Sequence, residues 1–167
     1  FGNYLFKAER YGATKLYGVE KNKDRYLAST LVAKVLNSNA KFLNADFDKN
    51  LFKEEFDYVL CLNVIHHIDH YEKFLVDASK LTKRILLLEF PTFLDPKFLS
   101  YKKINKKDAI KMNELSLIGE SSKAIDQSYV YSPGFIENLL MNRDLAFRKC
   151  NTYRSPIEGR VIMSFIK

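Results

Sequence analysis

The chain has 167 residues, of which 47% are hydrophobic, 14% aromatic and 28% charged; this balance excludes disorder, fibrous repeats and low complexity and gives a single globular domain enough apolar mass for a core. The longest aliphatic run, Ile85 to Leu88, is far short of a membrane span, no secretory leader is visible, and two cysteines cannot build a disulfide framework or a structural zinc site, so a cytoplasmic protein without membrane contact is expected. The formal charge of +7 favours anionic partners, and residues 92–113 hold six lysines against two aspartates, more than half of that excess.

In chain order, Lys15-Leu-Tyr-Gly-Val-Glu20 reads as a strand. A helix from Asp24 to Leu36 follows, its apolar face marked by Leu27, Leu31 and Val35. Residues 40–45 form the next strand. Phe56-Asp-Tyr-Val-Leu-Cys-Leu62 is apolar almost throughout, as a strand buried on both faces must be. Asp69 and Glu72 have capping-box spacing ahead of a helix with Tyr71, Phe74, Leu75, Ala78 and Leu81 on one face. Arg84 to Glu89 is a second buried strand, stopped by Pro91. From 92 to 131 the rhythm breaks into a polar, lysine-rich insertion or lid with one helical stretch, Lys106 to Leu117. Ser132-Pro133 caps a helix through Leu140, and 146–153 and 160–166 form a closing hairpin.

Strands alternating with helices predict an α/β fold: a doubly wound, mostly parallel sheet in one domain, with helices on both faces. Ligands of such sheets bind beyond the carboxyl ends of the strands. Glu20, Asp46, Asn63 and Glu89 stand there. Glu20 lies past Gly2 at about the separation where a carboxylate reaches a ribose diol; otherwise it is a solvated strand end. Asp46 can accept from an exocyclic amine while Phe47 lies against a flat ring, or it can cap a short helix. Glu89 and Pro91 either border a pocket or simply end their strand.

Residues 56–68, FDYVLCLNVIHHI, resemble the fourth-strand motif of class I S-adenosylmethionine-dependent methyltransferases. Val-Glu-Lys-Asn22 is similar to the family's second-strand acidic motif, Asn-Ala-Asp-Phe47 to its third, and Phe1-Gly-Asn-Tyr-Leu-Phe6 to the trailing half of its glycine-rich first loop. The resemblance covers residues 1–91. It implies S-adenosylmethionine as cofactor, an antiparallel closing strand and no metal. It also implies that Gly2 lets the backbone approach the methionyl part, Glu20 binds the ribose, Asp46 holds the adenine amine, and Asn63 sits beneath the methionyl group with its carbonyl or side chain near the amine. His66 or His67 is then a candidate base for the acceptor's proton, with His70 at the surface.

The family's central first strand is missing, since the chain opens at Phe1 inside the loop. The expectation is an N-terminally incomplete version of a longer protein; alternatively, the strands at 15–20 and 56–62 pair directly, or another chain donates a strand, as in an exchanged dimer. The acceptor is expected to be a small molecule rather than RNA, determined by 92–131 and the helix after it. Tyr101, Tyr129 and Tyr131 are candidates to stack on it, and the lysines are either a phosphate-reading patch or a solvated surface. A non-catalytic methyltransferase-like binding or assembly module is the alternative function. A nicotinamide dehydrogenase is a third reading, weakened by the absence of the last glycine of its fingerprint.

Overall fold

The computed structural model describes residues 2–47 and 51–167. They fall into two compact units, Phe1–Leu51 and Phe52–Lys167.

The first unit holds helix α1 (Asn3–Arg10), strand β1 (Tyr17–Val19), helix α2 (Lys23–Val35) and strand β2 (Lys41–Leu43). Phe1 lies outside the described residues, and Asn3 to Phe6, expected within a loop, are instead the first turn of α1. Gly2 is its left-handed N-cap, with φ of 72°, and a Cβ there would meet the Phe42 ring at 2.6 Å; the turn and the close ring both require glycine. Strands β1 and β2 pair in parallel, Gly18 opposite Phe42, with Lys41 N–H donating to Leu16 O at one end and Glu20 N–H to Leu43 O at the other. Their carboxyl ends therefore share one rim.

Helix α2 begins where the Asn22 side chain accepts from Arg25 N–H. The expected apolar face is corrected here: Leu27, Leu31 and Val35 are 52%, 63% and 76% exposed, and the buried residues are Ser29 and Ala33. Periodicity located a stripe, but small side chains let the helix approach its neighbours more closely on the other side. The Ser29 hydroxyl donates to Arg25 O, so it is buried without loss.

The second unit is built on a four-stranded sheet in the order β3-β4-β8-β7, from β3 (Phe56–Leu62), β4 (Thr82–Pro91), β7 (Lys149–Arg154) and β8 (Arg160–Ile166). Strands β3 and β4 are parallel, and β8 runs antiparallel to both β4 and β7. Within each unit, β1 bonds to β2 and β3 to β4. Helix α3 (Tyr71–Lys80) lies between β3 and β4 in the chain and packs on β4. Its N-cap is His70 without a side-chain cap bond, so Asp69 does not form the predicted capping box; the first turn is held instead by Phe74 N–H donating to His70 O. The core gathers Ile65, Leu75, Leu86, Leu88, Phe90, Tyr131, Ile136, Leu140, Met163 and Phe165, each large apolar side chain contributing about 1.5–3 kcal/mol. Strand β3 departs from its expected two-sided burial. Tyr58 and Leu60, which share one face, are 54% and 44% exposed, while Cys61 on the other is buried.

The segment 92–131 is more ordered than its composition suggests. It contains α4 (Pro96–Lys102), α5 (Lys106–Glu114) and a hairpin of β5 (Ile118–Ser122) and β6 (Gln127–Tyr131). Asp95 caps α4 by accepting from Lys97 and Phe98 N–H. Phe93, Phe98 and Val130 form a small core beneath these elements, backed by Ile104, Met112 and Leu117. The single helix expected over 106–117 ends at Glu114, because Leu117 and Ile118 turn to pair with the chain around Ser132 and Tyr131. Helix α6 (Pro133–Met141) starts as predicted, with the Ser132 hydroxyl accepting from Phe135 N–H.

Candidate functional site

In the first unit, Glu20 directly follows β1 and Asp46 follows β2 by three residues, so both carboxylates stand on the shared rim. The two connections are tied together. The Asn44 amide donates to Glu20 O and Lys21 O at 2.9 and 3.1 Å, and the Lys21 ammonium donates to Asp46 Oδ2 at 2.5 Å. Glu20 Oε1 accepts from Asn22 N–H at 2.8 Å. Glu20 thus bonds within its own loop, whereas Asp46 is held by Lys21 of the loop after β1. Phe47 is half-buried beside Asp46. Residues 48–50, which follow Asp46 and would begin the short helix expected there, lie outside the described residues.

In the second unit, the carboxyl ends of β3 and β4 carry a polar network. Asn63 turns into the left-handed region, φ 58°, with its N–H on Glu89 O. Its side chain is bonded at both ends: Nδ2 donates to Glu89 Oε2 at 2.7 Å, and Oδ1 accepts from the Arg160 guanidinium. The other Glu89 oxygen accepts from the Ser155 hydroxyl at 2.5 Å, and Arg160 Nε lies 3.8 Å from Asp95 Oδ2. Glu89, Asp95 and Ser155 are buried, and the Arg160 guanidinium supplies the buried Asp95 carboxylate with a counter-charge. Glu89 does more than end its strand: it holds Asn63 and Ser155 of the β7–β8 turn.

That turn is fastened to the loop after β4. Gly159 has φ of 74°, and a Cβ on it would lie 2.3 Å from the Asp95 Cα. The Gly159 carbonyl accepts from both N–H and hydroxyl of Thr92, each at 2.9 Å. An open cleft of about 580 Å³, lined by Arg154, Ser155, Pro156 and Glu158, borders the network at Ser155.

His66 and His67 form a 3-10 turn, Ile65–His67, just beyond β3, their rings 3.9 Å apart. They are not equivalent. His66 is buried with Nδ1 lacking a hydrogen-bond partner, and its pKa is lowered to about 3 by burial first and then by the charges of His67, Arg160 and Lys97. His67 is partly exposed, with Nδ1 3.7 Å from Asp126 Oδ1. The turn is anchored where the Tyr131 hydroxyl donates to Ile65 O at 3.1 Å. Tyr131 is therefore unavailable for stacking: it is wholly buried and packed against Tyr71, Phe90 and Phe135. Burial also pushes its phenol up, so it stays a donor. Tyr101 is exposed with the Lys102 ammonium over its ring, and Tyr129 packs on Tyr71. The six lysines of 92–113 are all exposed.

Sequence reasoning missed Ser155, Asp95 and Arg160. The available signals were a glutamate closing a wholly apolar strand, the Asp95-Pro96 cap and the glycine before Arg160. Among the described residues, no helix is long and apolar enough to cross a membrane.

No curated protein sequence matches the chain. Solved structures do. Magnesium protoporphyrin IX methyltransferase from Synechocystis PCC 6803, with bound SAH, superposes at a TM-score of 0.67 with 18% identity, over 99% of this chain and 69% of that one. The PH0226 protein from Pyrococcus horikoshii OT3 gives 0.61 and 19%, over 99% and 78%. An O-methyltransferase family protein from Burkholderia thailandensis gives 0.65 and 13%, over 99% of this chain but only 48% of its own. At such identities the likeness is one of fold. A family model described as a methyltransferase domain matches residues 1–85. With half of its length matched by that model, the chain belongs to the methyltransferase domain family.

Proposed function

We propose that the chain is an S-adenosylmethionine-dependent methyltransferase acting on a small-molecule acceptor. The observation that carries this reading is the placement of Glu20 and Asp46 on one rim of the β1–β2 pair.

Glu20 accepts the ribose hydroxyls, and the Asn22 N–H on its first oxygen keeps the carboxylate aimed. Asp46 accepts from the adenine amine while Phe47 lies along the ring, and Lys21 restrains the Asp46 carboxylate so that little side-chain freedom is lost on binding. Gly2 gives the backbone close access at the start of α1. In the second unit, the bonds of Asn63 to Glu89 and Arg160 hold the residue that leaves β3 in one backbone conformation. The cofactor supplies a methyl group on a sulfonium that departs readily, so alignment with the acceptor provides much of the acceleration. His67, restrained by Asp126, takes the acceptor's proton where one must leave, and His66, neutral and buried, shapes the turn beneath it.

Calorimetric titration with S-adenosylhomocysteine tests the reading. Saturable binding is expected, weakened about 100-fold in Glu20→Ala, which loses a charged double acceptor, and about 10-fold in Asp46→Ala. Absence of binding, or equal affinity in both variants, would overturn it and favour a non-catalytic module.

A further inference from the structure

Helix α2 turns a chemically patterned stripe outward. Asp24, Leu27, Leu31 and Lys34 are all exposed, and they follow one another at alternating spacings of three and four residues. That alternation keeps the four side chains on one face and is the spacing of a two-helix coiled-coil seam. Ser29 and Ala33, the residues α2 buries, lie on the opposite side of the helix, so the stripe is not the one that packs on its own unit. Exposed Val35 borders it.

The ends of the stripe state what fits it. Leu27 and Leu31 hold its middle, with an acid one turn before them and a base one turn after. Consider a second copy of α2 laid antiparallel on the first, about a two-fold axis level with Ser29. Leu27 then meets Leu31 of the second copy, Leu31 meets its Leu27, Asp24 meets its Lys34 and Lys34 meets its Asp24. Every layer is matched: leucine on leucine at the centre, acid on base at both ends. A parallel pair would set Asp24 on Asp24 and Lys34 on Lys34, like charge on like. A face that complements itself only when reversed is the mark of an isologous interface, which identifies the occupant as another copy of this chain.

Size sets the strength. A helix of 13 residues is about 20 Å long, and one face of it falls short of the roughly 800 Å² that each partner gives to a standard interface. A reversible dimer with a dissociation constant of about 10–100 µM is expected, not an obligate one.

We propose that α2 is a self-association surface on which two copies of the chain pair antiparallel, Leu27 on Leu31 at the centre and Asp24 on Lys34 at each end. The inference is independent of the methyl-transfer reading, because none of these residues belongs to the cofactor site proposed above.

Sedimentation equilibrium of the chain from about 5 µM to about 500 µM tests it, a range that brackets the expected dissociation constant. The wild type is expected to pass from monomer to dimer. Leu31→Glu should weaken the dimer by more than about 10-fold, since it sets a carboxylate into both central layers. Asp24→Lys and Lys34→Asp should each weaken it about 10-fold, because either change makes both end layers like-charged. All three positions are exposed, and far-UV circular dichroism checks that each variant keeps its helices. Mixed in equal amounts, the two charge variants should pair with each other, as the two lysines of one chain then meet the two aspartates of the other; simple loss of helix stability gives no such recovery. A monomer throughout the range, a dimer indifferent to Leu31→Glu, as one held by an exchanged strand would be, or charge variants that stay apart on mixing would each overturn the proposal. None of these results bears on the S-adenosylhomocysteine titration.

Discussion

Arg160 donates to the side-chain oxygen of Asn63 across 97 positions of sequence, joining the first residue of β8 to the residue that leaves β3. The same guanidinium faces buried Asp95. Removing it leaves a buried carboxylate without a counter-charge and Asn63 without a donor. Arg160→Leu is expected to lower unfolding free energy by about 3–5 kcal/mol, and Arg160→Lys by less, because the charge survives while the fork is lost. Urea unfolding of both variants measures this; equal midpoints for wild type and Arg160→Leu would show the network to be energetically idle.

Gly159 makes a sharper steric prediction. A methyl group on it meets backbone rather than a side chain that could swing away, in a conformation already disfavoured for other residues. Gly159→Ala should cost about 2–4 kcal/mol and loosen the β7–β8 turn. Gly12, which has open space around it, supplies the comparison: alanine there meets no atom and should cost only about 1 kcal/mol for its positive φ. Thermal melts of the two variants separate contact from backbone preference.

His66 gives stability a pH dependence. Its pKa falls from an ordinary 6.5 to about 3 in the folded protein, because burial and then the charges of His67, Arg160 and Lys97 oppose the imidazolium. Below about 6.5 the unfolded chain binds a proton that the native one refuses. Its contribution is therefore complete above about pH 6.5 and is lost as pH falls toward about 3, by about 1.4 kcal/mol per unit. Relative to His66→Phe, the wild type should lose about 2 kcal/mol between about pH 7 and about pH 5, read from urea midpoints. Parallel curves would place the imidazole in water.

The two thiols should be slow to react. Burial raises the Cys61 thiol to about 12 and the Cys150 thiol to about 11, the latter helped by the charge of Glu137. Little thiolate forms near neutrality, so a colorimetric disulfide reagent should label neither at the rate of a free cysteine until denaturant is added. Prompt labelling of Cys61 in native buffer would mean that β3 opens readily.

What was legible in the sequence follows how local the cause is. Strand β4, helix α6 and the closing hairpin announce themselves through continuous apolar runs, the Ser132-Pro133 cap and the turn around Gly159. Glu20 and Asp46 were also findable, since a parallel β1–β2 pair places residues just after its strands on one rim. Burial was less readable. Leu27, Leu31 and Val35 have the periodicity of a core face yet stand exposed, and Tyr58 and Leu60 do so in the strand that looked most deeply buried. Periodicity states which residues share a face; what covers that face is set by other elements. The helices and hairpin within 92–131 were hidden by lysines that decorate a small core of Phe93, Phe98 and Val130. The Asn63, Glu89, Ser155 and Arg160 network was beyond reach because its members meet only through strand order, and no sequence spacing encodes that β8 docks on β4.

That docking orders events during synthesis. Strand β8 is inserted between β4 and β7, so β4 waits with an unsatisfied edge until a much later part of the chain has left the ribosome. Asn63 and Glu89 are translated early, yet their clamp closes only when Arg160 and Ser155 arrive. Closure of this network is thereby deferred until β8 has emerged, and a nascent chain stalled before it would expose Leu86 and Leu88 to chaperones.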